Sequence, residues 1–147
     1  MNEAYHYTES GLDNVYLYNV SLVKDVNDEK VIYIPKVNKL HKVIAKGIIG
    51  KKGLINDKEI KFLRTEMGLK QSEFSELLGK EAQACGRWER NEAKIDKTVD
   101  TLIRFLVAEY LGETADIEHI AKLNSLDPAN DNINIDGNNN DYALMAV

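Results

Sequence analysis

The sequence predicts an α+β fold. It divides into a small β-rich N-terminal part with one lysine-rich helix (residues 1–53), a five-helix-like domain (54–112) and an acidic, Asn-rich tail expected to be disordered (113–147). Three observations support this. Residues 14–35 alternate polar and apolar positions and are rich in Val, Ile and Tyr, the pattern of half-buried strands. From Asn38 onward apolar residues recur at three- and four-residue spacing, and Gly68 and Gly79 cut part of that helical stretch into short pieces. After Gly112 the composition shifts to Asp and Asn, with one Lys against seven acids in residues 113–147.

The elements follow in order. "AYHYT" offers a short strand, and "NVYLYNVSLVKDV" and "KVIYIP" form a hairpin that turns at Asn27 or Asp28 and ends at Pro35. Tyr5, Tyr7, Tyr16, Tyr18 and Tyr33 either pack against the next helix or form a partner surface. In "NKLHKVIAKGIIGKKG", Leu40, Val43, Ile44 and Ile48 share one face of a helix capped by Asn38 and closed near Gly50 or Gly53. Lys39, Lys42 and Lys46 lie on its outer side, as a solvated face or as phosphate contacts.

Asn56 or Asp57 caps the next helix, which turns Ile60, Leu63 and Met67 inward and closes at Gly68. Another starts near Gln71 and buries Phe74, Leu77 and Leu78 before a bend at Gly79. The helix after it keeps Cys85 and Trp88 inside and leaves Ala82, Gln83, Gly86, Arg87 and Arg90 outside. In the run 98–111, Val99, Leu102, Ile103, Leu106 and Tyr110 form one face, and Phe105, Val107 and Leu111 widen it beyond the need of one small domain. That excess marks Leu102, Phe105, Leu106 and Tyr110 as a candidate dimer seam. The final "YALMAV" is apolar again, as a docking segment or an untethered end.

Composition narrows the function classes. No apolar run approaches the roughly 18 residues of a membrane span, and "MNEAYHYTES" lacks the layout of a leader, so a cytoplasmic location is expected. A single cysteine, Cys85, makes no internal disulfide, and the scattered His6, His41 and His119 offer no metal-ligand spacing. With no nucleophile beside a base, no phosphate loop and no metal cluster, neither an enzyme nor a cofactor is expected. Taken alone, the net charge of −5 disfavours nucleic acid, but residues 1–112 hold 18 basic and 17 acidic side chains, so the acidity is mostly in the tail. Between Pro35 and Gly53 stand six lysines and no acid, a local positive field.

The stretch "LLGKEAQACGRWERNEAKI" carries the strongest signal. A glycine inside a helix costs about 1 kcal/mol relative to alanine, and this segment has few apolar residues. Two short helices joined at Gly79, the second displaying small and amide side chains, have the layout of a helix-turn-helix. Such a helix keeps one face free for a major groove. Gln83 can bond an adenine edge bidentately and Arg87 guanine O6 and N7. Gln71, at a helix N-terminus, suits a phosphate, and Lys80 and Arg90 are further candidates for phosphate contact.

At these residues the chain resembles the XRE (Cro/repressor-like) family: "QSEFSELLG" fits its Q-x-x-[LF]-[AS]-x-x-x-G core, and "GRWERNE" its R-W-E-x-G ending. Over residues 5–112 the order of "YHYTESGLDNVYL", "LHKVIAKGIIGKKGLINDKEIKFLRTEMGLKQSEFSELLG", "RWE" and "LIRFLVAEYLG" is similar to the MqsA-type antitoxins that lack a zinc ribbon. The resemblance implies a DNA-binding dimer whose base-reading positions fall on Ala82, Gln83 and Arg87 and whose phosphate contact falls on Gln71. Lys80, Glu81 and Asn91 depart from the family pattern, and Ala82 offers only a methyl contact with thymine. Two functions follow. One is a transcriptional regulator, a repressor, that binds double-stranded operator DNA as a homodimer. The other is an antitoxin that neutralises a toxin protein and represses its own operon, which a small basic open reading frame next door would favour.

Overall fold

The computed structural model describes residues 4–24, 26–27, 30–128, 131–138 and 141–145. The chain forms two compact units, residues 1–44 with 132–147 and residues 45–131, a division that differs from the expected borders at 53 and 112.

The first unit is built on a four-stranded sheet in the order β1-β2-β5-β6, with β1 Tyr5–His6, β2 Val15–Tyr18, β5 Ile133–Asp136 and β6 Ala143–Leu144. β2 pairs antiparallel with β1 and parallel with β5, setting Tyr16 opposite both His6 and Asn134. One face holds Val15, Leu17, Ile133 and Ile135, none more than 4% exposed. The expected tail is therefore corrected. Residues 113–147 supply a helix and two strands, and "NINI" shows the alternation of a strand whose isoleucines are buried. From "YALMAV", Tyr142 is buried with its hydroxyl donating to the Pro35 carbonyl at 2.6 Å, while residues 146–147 lie outside the described part.

The expected hairpin is present but shorter. Asn19, in the left-handed region at φ 58°, splits the long first stretch, so the hairpin consists of β3 Leu22–Lys24 and β4 Lys30–Ile32, a separate two-stranded sheet. Asn27 lies in its turn, and Asp28 is outside the described residues.

Helix α1, Val37–Gly50, starts in the first unit and ends in the second. Leu40, Ile44 and Ile48 are fully buried. The expected cap is two residues off. Asn38 lies inside the helix, and the carbonyl of Lys36, at φ 54°, accepts from the Lys39 and Leu40 N–H groups.

The second unit continues with α2 Asp57–Glu66, α3 Gln71–Leu77, α4 Ala84–Glu89, α5 Lys97–Leu111 and α6 Ile117–Leu123. Asn56 caps α2 in a reciprocal box with Glu59, Asp96 caps α5 and Asp116 caps α6. Glu59 is itself buried and paired with Lys51 at 2.6 Å. α5 buries Val99, Ile103, Val107 and Ala108 and, unexpectedly, the ion pair Asp100 and Arg104, both 0% exposed. Arg104 donates to Asp100 at 2.8 Å and to the carbonyls of Ile49, Lys51 and Gly53 at 3.2, 2.6 and 2.5 Å, closing the end of α1. Asp100 also accepts from the Ile55 N–H at 2.8 Å and from Asn124 at 2.9 Å, so the buried charges are fully hydrogen-bonded. The expected seam residues Leu102 and Tyr110 are 36% and 45% exposed, and Phe105 and Leu106 are half-buried, so this side of α5 is not consumed by the core.

Candidate nucleic-acid interface

Two left-handed glycines, Gly68 at φ 73° and Gly79 at φ 71°, set the turns on either side of α3. Phe74 from α3 and Leu78, the residue that caps its C-terminus, meet the core beside Cys85 and Trp88 from α4, all 6% exposed or less. Leu77, expected inside, is 54% exposed, because Phe74 and the capping Leu78 already fill the inner side of this short helix and its end. Ser75 ties the two helices together. Its hydroxyl donates to the Gln71 carbonyl and accepts from the Cys85 N–H, both at 2.9 Å.

Glu89, the acid of "RWE", is the hub of the module. Arg64 from α2 clamps it through Nε at 2.6 Å and Nη2 at 3.1 Å, Gln71 Nε2 donates at 3.0 Å, and the Cys85 thiol donates at 3.1 Å. Burial works to raise the Glu89 carboxyl, but the hydrogen bonds from Arg64, Cys85 and Gln71 outweigh it and hold it below its ordinary range. Burial, with the adjoining Glu89, pushes the Cys85 thiol up to about 12, which leaves it protonated and unreactive. These roles of Arg64 and Ser75 carry no spacing signal in the sequence, since they depend on how three helices cross.

The hub explains the glycine inside the helix. Gly86, expected on the outer face, is buried. A Cβ there would stand 3.0 Å from Arg90 Nη1 and 3.1 Å from Gln71 Oε1. The missing side chain makes room for the Gln71 amide that Glu89 holds. Asn91 closes the segment in the left-handed conformation at φ 58°.

Around this point lies a shallow open groove lined by Lys70, Gln71, Ser72, Ala82, Gln83, Gly86 and Arg90. Of the candidate contact residues it unites Gln71, Ala82, Gln83 and Arg90. Ala82 and Gln83 sit in the turn just before α4 rather than within it, Gln83 already with helical backbone angles. Arg87, one turn on, is outside the lining and lies 3.9 Å from Glu81 across two exposed side chains, a contact worth about 0–1 kcal/mol. Lys80 is exposed and also outside the lining. Arg90 pairs with Glu92 at 2.5 Å. Of the exposed α1 lysines, Lys39 pairs with Asp141 and Lys46 with Glu113 at 3.3 Å.

Among the described residues no helix is long and apolar enough to cross a membrane, and no group of His, Cys, Asp and Glu could hold a metal ion. Residues 60–116 match a family model described as helix-turn-helix. No curated protein and no solved structure matches the chain.

Proposed function

Residues 60–116 are a helix-turn-helix domain of the XRE type, a DNA-binding regulatory module, and from that premise we propose that the protein is a cytoplasmic repressor that binds operator DNA as a homodimer. The observation that carries the proposal is the groove between the start of α3 and the turn into α4, where Gln71 is fixed by Glu89 beside the exposed Gln83. Gln71 and Arg90 contact phosphates from this groove and Lys80 from outside its lining, with Lys39, Lys42 and Lys46 as additional contacts, while Ala82, Gln83 and Arg87 read base edges. One such module reads only a few base pairs, so two copies joined through Leu102, Phe105, Leu106 and Tyr110 engage half-sites about 34 Å apart. The half-exposed side of α5 supports that seam.

Binding measured on selected and on random duplexes tests the reading. Gln83→Ala and Arg87→Ala each cost about 1–3 kcal/mol on the preferred operator and much less on random DNA. Equal losses on both would mean that these side chains touch only the backbone. The antitoxin alternative adds a toxin partner to the same DNA-binding domain and is supported by the resemblance over residues 5–112. Co-purification with the product of an adjacent gene would favour it.

A further inference from the structure

One face of the N-terminal sheet stays partly open to solvent. With Val15, Leu17, Ile133 and Ile135 buried on the core side, strand alternation sends His6, Tyr16, Tyr18, Asn134 and Asp136 to the other. His6 is exposed and the other four retain partial exposure. Met145, 40% exposed, donates its N–H to the Asn134 carbonyl at 2.9 Å and extends the row past the sheet's last strand.

The face is held in place before any partner arrives. The His6 ring stacks on Tyr16 with centroids 4.6 Å apart and planes 9° from parallel, and its Nε2 lies 2.6 Å from the Asp13 carbonyl oxygen. Asp136 accepts from the Asn19 amide at 2.9 Å and from the Asn138 N–H at 3.0 Å, bonds that favour its ionised form. Ordered aromatic side chains cost little entropy on binding and make effective anchors.

Charge decides what the face can bind. Residues 1–21 and 131–147, which supply all four strands, contain Glu3, Glu9, Asp13, Asp131, Asp136 and Asp141 but no lysine or arginine. Of these acids Asp141 is matched by Lys39, and Glu9 accepts the Tyr5 hydroxyl. A phosphate backbone needs cations beneath it and finds none on these strands. A cationic side chain finds aromatic faces and a fixed carboxylate together. We propose that this sheet face docks a lysine- or arginine-rich surface of a partner protein, a cationic group lying over Tyr16 and Tyr18 and bridging to Asp136. The inference concerns residues other than those that line the groove and does not depend on how the helices read DNA.

The test uses the isotope-labelled full chain with an octa-arginine peptide as probe and an octa-glutamate peptide as control. Amide resonances of His6, Tyr16, Tyr18 and Asp136 should move most on adding octa-arginine and stay put with octa-glutamate. Tyr18→Ala and Asp136→Asn should each weaken binding about five-fold, corresponding to roughly 1 kcal/mol. Glu109→Gln and Glu118→Gln, exposed acids on α5 and α6, should change it less than two-fold. The resonance map of the unsubstituted chain still decides the matter if a variant fails to fold. Shifts spread evenly over exposed acids, or equal weakening by the control variants, would overturn the proposal. So would concentration-dependent broadening of this face without peptide, which would make a second copy its occupant. Operator binding by Tyr18→Ala should match that of the unsubstituted chain, so the docking surface and the DNA groove can fail separately.

Discussion

Replacing Gly86 by alanine sets what α4 gains in helical propensity against what the groove requires. In a helix interior alanine is favoured over glycine by about 1 kcal/mol. Here, however, the added Cβ stands 3.0 Å from Arg90 Nη1 and 3.1 Å from Gln71 Oε1. Arg90 is exposed and its end can swing away. Gln71 cannot move without giving up its 3.0 Å hydrogen bond to Glu89, a loss of about 1 kcal/mol. The two effects offset, so the net stability change stays within about 1 kcal/mol and the melting temperature within roughly 4–8 °C. DNA binding has no such compensation. With the Gln71 amide displaced from the groove, the phosphate contact proposed for it would be lost, and affinity should fall about ten-fold. Thermal unfolding followed by circular dichroism and an electrophoretic mobility shift on the same preparation measure both quantities. A variant that gains the full kilocalorie and binds DNA as well as before would refute the reasoning, because Gln71 would then be free to move without consequence.

Other expectations test separate parts of the molecule. Ile135→Ala should destabilise the chain by about 2–5 kcal/mol in urea, because its side chain is fully buried in the sheet; an untethered tail would show no change. Stability supplied by Glu89 should be complete above its ordinary pKa of 4.5 and disappear as pH falls through its lowered value. Unfolding of Glu89→Gln should therefore depend less on pH in the acid range than that of the unsubstituted chain. Leu106→Glu and Phe105→Glu should sediment as monomers and bind the operator much more weakly, and unchanged sedimentation of both would rule out the α5 seam.

The sequence exposed the helical part more fully than the sheet because the information there is local. Gly79, the Asn56 cap, and the inward Phe74, Cys85 and Trp88 each follow from neighbours within a few positions. The burial of Gly86 was hidden, since what covers it is Gln71 from another helix. Leu77 misled for a related reason: apolar character does not reveal that Phe74 and Leu78 already occupy the inner stripe. The pairing of Glu89 with Arg64 depends on how the helices cross, which no local spacing reports. In the N-terminal unit the strands near Tyr5 and Tyr16 were legible from alternation, but the neighbour of β2 comes from the far end of the sequence. "NINI" carried a strand signal that the surrounding Asn and Asp residues masked.

The parallel pairing of β2 with β5 has a consequence for how the protein is made. Tyr16 leaves the ribosome early, yet its neighbour Asn134 emerges only after the whole of residues 45–131 has been synthesised. The helical unit is one uninterrupted stretch and is free to mature during translation, whereas the aromatic strand must wait for closure that only late synthesis provides. A nascent chain stalled before residue 133 would thus carry a complete helical module while its sheet remained unsealed.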